Sequence, residues 1–223
     1  MSLELPELRV ANMRARRARI LAAASARLAQ GGYGALTLRE LARDAEVTVP
    51  TIYNLIGAKE EVVVALVEQA LDLLEAHLED MPPMRGLARA EAVIAGSFTL
   101  FAGSTSKVFC SVFRCLQEMI AHSEKNTLGP MFSRAGKVYE QAILEASEAG
   151  MLRGDLLVLP LAHHILHGVT ETFKLWGVHA LPIADAEARA FYTLYTSFLA
   201  DSTPGGREML LAKLAPHEQQ LNH

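Results

Sequence analysis

Ala45-Glu46-Val47-Thr48-Val49-Pro50-Thr51-Ile52-Tyr53-Asn54-Leu55-Ile56-Gly57-Ala58-Lys59 is the stretch that decides the fold of this 223-residue chain. It has the pattern of the turn and second helix of a helix-turn-helix, followed by a short turn into another helix. Thr48 can cap a helix by accepting a hydrogen bond from a backbone N–H of the first turn. Pro50 falls within that turn, where a missing N–H leaves nothing unsatisfied. Ile52, Tyr53 and Ile56 are expected to anchor the helix, leaving Val49, Pro50, Thr51 and Asn54 outward. The turn itself is Glu46-Val47-Thr48.

Upstream, Thr37-Leu38-Arg39-Glu40 fits a capping box, with the Thr37 side chain on a backbone N–H and Glu40 reaching back. Leu41, Ala42 and Ala45 supply the inner face of that shorter helix. Before it, Ile20, Leu21, Ala24 and Leu28 recur at helical spacing within a helix expected from about Val10 to Gln30, which Gly31-Gly32 ends. Downstream, Lys59 opens a helix to about Glu79 with a long stripe: Val62, Val63, Leu66, Val67, Ala70, Leu71, Leu74 and Leu78. Such a helix can join a small head to a larger body. The expectation is an all-α chain of about nine helices: a three-helix DNA-binding head over residues 1–57 and a helical ligand-binding and dimerisation body over residues 58–223. Later helices are expected near 85–102, 106–123, 128–149, 159–178 and 185–201. Pro160 opens the penultimate one, Asp185 caps the last, and the tail beyond Pro204 is expected to be mobile, with Met209, Leu210, Leu211 and Leu214 able to dock. No stretch shows the period-2 alternation of a strand.

The N-terminal end of the second helix matters because it points into the major groove. Asn54 can pair with adenine through its amide, while Val49, Pro50 and Thr51 can touch thymine methyl groups. Tyr53 and Lys59 are placed to meet phosphates, and Lys59 opens a helix whose free N–H groups also attract an anion. Arg14, Arg16, Arg17, Arg19 and Arg39 add attraction that is independent of sequence. Charge supports this division. Residues 1–59 hold nine Lys and Arg against five Asp and Glu, whereas residues 60–223 hold twelve against twenty, which sums to the net charge of −4. A basic head on an acidic body suits a chain that reads DNA with one end only.

Half of the residues are hydrophobic, enough for a substantial core, yet no apolar run approaches the ~20 residues that span a bilayer. Ser25 and Arg27 interrupt the apolar segment that follows the N-terminal arginines, which argues against a secretory leader. A cytoplasmic chain without a membrane partner is expected. Cys110 and Cys115 lie five apart in an expected helix, roughly 140° away from each other. A disulfide between them is sterically implausible. Two buried thiols are expected, with a redox sensor as the alternative.

The motifs together resemble the TetR family of bacterial transcriptional regulators. Arg19-Ile20-Leu21-x-Ala23-Ala24, Gly32-Tyr33, Thr37-Leu38-Arg39-Glu40-Leu41-Ala42, Ala45-x-Val47-Thr48-x-x-Thr51-Ile52-Tyr53 and Lys59-Glu60-Glu61-Val62 carry the likeness, which is specific over residues 17–66 and architectural beyond. The resemblance implies an all-α homodimer whose head binds a palindromic double-stranded DNA operator. It implies a small-molecule pocket in the body, a dimer interface on the last two helices, and release of DNA when ligand moves the fourth helix, hence a repressor. It puts DNA contacts on Thr37, Thr48, Val49, Pro50, Thr51, Tyr53, Asn54 and Lys59. The sequence departs from the family at Glu46, where Gly is usual, at Pro50, where a small residue is usual, and at Ile56, where an aromatic is usual. A non-Gly residue in a left-handed turn costs roughly 1 kcal/mol.

In the body, Phe98, Phe101, Phe109, Phe113, Met119, Phe132, Tyr139, His167, Thr170 and Trp176 combine aromatic surface with a few polar groups, as small-molecule sites do; ordinary core is the alternative. Leu161, Ala162, Ile165, Gly168 and Val169, with Ala184, Ala188, Phe191, Leu194, Tyr195 and Phe198, offer small and large surfaces for helix pairing, either between two copies or inside one. His163, His167 and Glu171 share one helix face and, with His122, could ligate a metal; hydrogen-bonded histidines are the favoured reading, so no metal or cofactor is expected. There is no nucleophile motif and no phosphate-cradling loop. The rival functions are a TetR-like binding protein that has lost its operator, and a metal-dependent helical sensor or enzyme.

Overall fold

The computed structural model describes residues 5–102, 112, 129–178 and 181–222. Among them are nine α-helices and no strand: α1 (Leu5–Gly31), α2 (Leu38–Asp44), α3 (Val49–Leu55), α4 (Lys59–Glu79), α5 (Leu87–Ala102), α6 (Gly129–Glu148), α7 (Val158–Gly177), α8 (Ile183–Leu199) and α9 (Pro204–Leu221). A 3-10 turn covers Tyr33–Ala35. The expected helix over 106–123, with Cys110, Cys115 and His122, lies outside the described residues. Among the described residues the chain divides into two compact units, and the division in α4 falls between Ala70 and Leu71.

In the first unit α1, α2 and α3 pack on one another. The stripe Ile20, Leu21, Ala24 and Leu28 is buried with Leu36, Leu41, Ala42, Ala45 and Ile52. α1 stops where Gly32 turns to a φ of 64°, a conformation that costs a residue without Cβ nothing. A charged clamp crosses from α1 to α2: Arg27 Nε donates to Asp44 Oδ2 at 2.6 Å, and its Nη1 lies 2.9 Å from Glu40 Oε2. The hydrogen bond from Arg27 holds the Asp44 carboxyl below its ordinary range.

In the second unit α5 through α9 pack in chain order, and α5 also packs on α8. The C-terminal half of α4 is tied in twice. A Cβ on Gly96 of α5 would lie 3.1 Å from His77 Cδ2 and 3.3 Å from Leu74 Cδ1. Arg134 of α6 donates to Asp72 Oδ1 at 2.7 Å and to both oxygens of Glu75 at 2.9 and 2.5 Å. Arg89 of α5 forks onto Glu145 of α6 at 3.2 and 3.1 Å and holds that carboxyl below its usual range.

Two expectations need correction, and one reading left open is narrowed. The segment after Pro204 is a helix of 18 residues rather than a mobile tail. Thr203 caps it, accepting from the Gly206 N–H at 3.2 Å; Pro204 sits in the first turn; Leu210 and Leu214 are buried. Pro204-Gly205-Gly206 is therefore a helix start, not a break. Gly206 is required because Met151 O lies where a Cβ would stand. Asp185 does not cap α8, which begins at Ile183; it sits in the first turn and accepts from Gln220 Nε2 of α9 at 2.9 Å. Finally, Leu161, Ala162, Ile165 and Val169 of α7 and Ala188, Leu194, Tyr195 and Phe198 of α8 are buried within the single chain. Gly168 is faced by Thr193 of the same chain. The exposed side chains of these helices include Leu159, His163, His164, His167, Ile183, Ala184 and Tyr192.

Candidate nucleic-acid interface and ligand-binding body

The helix-turn-helix is built by local hydrogen bonds. Thr37, the N-cap of α2, accepts from the Glu40 N–H at 3.3 Å and donates its hydroxyl to Glu40 Oε2 at 2.9 Å. Glu40 therefore reaches back to the capping hydroxyl and to Arg27 rather than to a backbone N–H, a variant of the expected box. Between α2 and α3, Glu46 holds a φ of 53°, the one non-glycine residue at positive φ among the described residues. The turn needs the left-handed conformation whether or not glycine supplies it. Thr48 then caps α3, accepting from the Thr51 N–H at 3.3 Å, with its hydroxyl 2.8 Å from that of Thr51. The second hydroxyl is thus held by the first.

Ile52 alone on α3 is fully buried, and it anchors the helix in the first unit. Tyr53, expected to share that task, is 55% exposed, so its phenol is free to meet a phosphate. Pro50, Asn54 and Thr48 are exposed, and Val49 and Thr51 are half-buried. Thr37 and Arg39 are exposed at the start of α2. Of the outward set inferred from spacing, Pro50 and Asn54 are exposed and Val49 and Thr51 half-buried, and Tyr53 joins them at the surface of α3. Lys59 stands at the first position of α4 with its Nζ 3.6 Å above the Tyr33 ring. The ring face restrains the ammonium without neutralising it. Tyr33 in turn donates its hydroxyl to Glu60 Oε1 at 3.0 Å. Tyr33 is a positioning residue that spacing alone did not reveal; the Gly32-Tyr33 pair following α1 was its only trace.

In the second unit the aromatic candidates are partly gathered. Phe98 of α5 stacks on Phe173 of α7 with ring centroids 4.5 Å apart, and Phe173 meets Trp176 edge-on at 6.4 Å. Phe173, absent from the expected set, is the centre of this cluster. Tyr139 is buried on α6, and burial pushes its phenol well above its ordinary range. Thr170 is half-buried and His167 is exposed. Phe109, Phe113 and Met119 lie outside the described residues, as do the side chains of Phe101 and Phe132. A separate open cleft of about 550 Å³ is lined by Arg85, Leu87, Glu91, Met151, Met209 and Lys213 among others, and contains none of the ten candidates. His163 and His167 face each other on α7 with ring centroids 6.4 Å apart, in solvent. Among the described residues no group of three His, Cys, Asp or Glu side chains converges to hold a metal ion. No helix among them is long and apolar enough to cross a membrane.

A capped helix-turn-helix with an exposed polar and apolar reading face, on a basic head joined through one long helix to a helical body, defines a DNA-binding regulator. Residues 20–66 match the family model of bacterial regulatory proteins of the tetR family, so the head carries the DNA-binding domain of that family. Solved structures share the fold. SmeT, the repressor of the Stenotrophomonas maltophilia multidrug efflux pump SmeDEF, is 22% identical with a TM-score of 0.62 over 85% of this chain and 92% of its own. A TetR-family regulator from Marinobacter aquaeolei VT8 is 15% identical with a TM-score of 0.59 over 90% and 98%. CprB, a TetR family protein from S. coelicolor A3(2), is 20% identical with a TM-score of 0.58 over 92% and 98%. No curated protein sequence matches the chain.

Proposed function

We propose that this protein is a cytoplasmic repressor, not an enzyme, that binds a palindromic operator as a homodimer and leaves it when a small, largely apolar ligand enters the body. In this reading residues 1–57 are the DNA-binding head and 58–223 the sensing and pairing body. The observation that carries the reading is the doubly capped α2–turn–α3 unit, whose surface presents Thr37, Arg39, Thr48, Val49, Pro50, Thr51, Tyr53 and Asn54 together. Asn54 and Thr51 read base edges; Tyr53, Thr37, Arg39 and the ring-held Lys59 hold the phosphates.

For the ligand, the supporting observation is the buried Phe98–Phe173–Trp176 cluster, with Thr170 half-buried and His167 exposed on the helix that carries Phe173 and Trp176. The ligand class is therefore a flat or hydrocarbon-rich small molecule, for which Phe101, Phe109, Phe113, Met119, Phe132 and Tyr139 are the further candidates from the sequence. Because Asp72 and Glu75 of α4 are gripped by Arg134, a ligand that shifts α6 pulls on the helix whose first residue is Lys59. Selection of bound fragments from the source genome by purified protein tests the reading. A palindromic site, released by a compound that protects the body from unfolding, is the expected result. No enriched sequence would leave the chain as a binding protein of the same fold without an operator.

A further inference from the structure

We propose that the first four turns of α1 are a second DNA-contacting element, in which Arg9, Arg16 and Arg19 hold backbone phosphates flanking the half-site read by α3. The proposal rests on α3 as the DNA reader and deepens it.

α1 is 27 residues long, but its first buried residue is Ile20. Residues 7–19 are exposed apart from the half-buried Arg17. At 1.5 Å per residue, Leu5 to Arg19 extends about 22 Å beyond the packed part of the helix. Core packing gives no reason for that extension. Its composition does: five arginines lie between positions 9 and 19, and no Asp or Glu occurs from Leu8 to Arg39. A helix carrying like charges three residues apart, as Arg16 and Arg19 are, is disfavoured unless an anion lies against it.

Not every arginine is available. Arg27 is held by Asp44 and Glu40, and Arg17 lies 4.0 Å from Glu68 of α4. No ion pair forms on Arg9, Arg14, Arg16 or Arg19 among the described residues. Arg9, Arg16 and Arg19 are spaced by seven and three, which puts them on one side of the helix. They span about 15 Å, the axial rise of four or five base pairs of B-DNA. Their planar forks match phosphate oxygens in a way that lysine does not. A free peptide of this length would be marginally helical in water. Here the extension continues a helix already nucleated against α2 and α3, so its arginines are held in order before DNA arrives. That continuity with the reading head selects DNA as the occupant.

The test compares the salt dependence of binding for wild type and an Arg9→Gln/Arg16→Gln/Arg19→Gln variant. Three duplexes are used: the selected site with about ten flanking base pairs on each side, the same site trimmed to its ends, and a random duplex of the longer length. The slope of log K against log salt should fall by about 2.7 per bound head on the flanked and random duplexes. On the trimmed site it should change little. An Arg9→Lys/Arg16→Lys/Arg19→Lys variant, which keeps charge and helix propensity, should retain most of the slope. Equal slopes for wild type and the Gln variant on the flanked duplex would overturn the proposal. So would an equal loss on flanked and trimmed sites, which would put the arginines over the half-site itself. Unchanged DNA slopes with lost binding to phosphatidylserine vesicles would overturn it in favour of a membrane. If no site is ever selected, the random duplex still reports on the arginines, so failure of the operator reading is seen separately.

Discussion

Gly168→Ala tests why a glycine stands in the middle of α7. In an exposed helix the change should stabilise by about 1 kcal/mol through helix propensity. Here the added methyl would fall inside contact distance of Thr193 Cγ2 on α8, with Oγ1 at 3.3 Å. Thr193 does not swing away freely, because its hydroxyl donates to Arg189 O at 2.9 Å and its branched Cβ restricts χ1. Overpacking of this kind costs about 1–3 kcal/mol. The net result should be a loss of up to about 2 kcal/mol. Thr193→Ser removes Cγ2 and should itself cost about 0.8 kcal/mol for the lost methyl. In the double variant the clash is gone and the propensity gain remains, so Gly168→Ala should now stabilise by up to about 1 kcal/mol. The cycle therefore carries a coupling energy of about 1–3 kcal/mol. Urea unfolding followed by circular dichroism at one fixed protein concentration measures all four corners. A stabilising single variant with no coupling would refute the reasoning and return Gly168 to a role at a subunit interface.

Three further outcomes are expected. Asn54→Ala should reduce the preference for the selected site over random DNA by about 1–3 kcal/mol, read by competition binding at constant salt; equal losses on both DNAs would remove Asn54 from base reading. Gly206→Ala should detach α9, since the obstacle is the Met151 carbonyl, a backbone atom that also accepts the Thr203 N–H at 3.0 Å; proteolytic cleavage near residues 203–206 in the variant, absent in wild type, is the readout. The third concerns His217, which stacks on Phe191 at 5.1 Å and lies beside Tyr195. Burial lowers its pKa below 6.5, against the opposing charges of Glu187 and Glu91. The folded chain then binds fewer protons than the unfolded one near pH 6, so stability rises with pH, is fully present above the unfolded value of about 6.5 and declines as pH falls through the folded value. Thermal unfolding of His217→Gln should show a smaller loss between neutral and mildly acidic pH than wild type, and parallel curves would remove His217 as the cause.

The head was legible because its signals are local. Thr37 and Thr48 cap helices three residues away, Glu46 turns left-handed where the motif requires it, and α4 begins at Lys59 and ends at Glu79, as its stripe indicates. The body was less legible because its decisive contacts are distant in sequence. Pro204-Gly205-Gly206 reads as a breaker until the Met151 carbonyl explains the second glycine. Gly168 reads as a place of close helix approach, but only the fold names Thr193 of the same chain as the neighbour. Phe173 looks like any core residue until Phe98, 75 positions earlier, stacks on it. Tyr33 carries no local signal beyond its place after Gly32, whereas its ring lies under the Lys59 ammonium.

The most direct test of the central claim is the ratio of affinities for the selected site and for random DNA of equal length, measured at a fixed, physiological salt concentration. A regulator that reads bases through α3 should prefer its site by at least about 10³-fold. A ratio near unity, with salt-dependent binding to both, would show a basic helical protein that holds DNA without reading it.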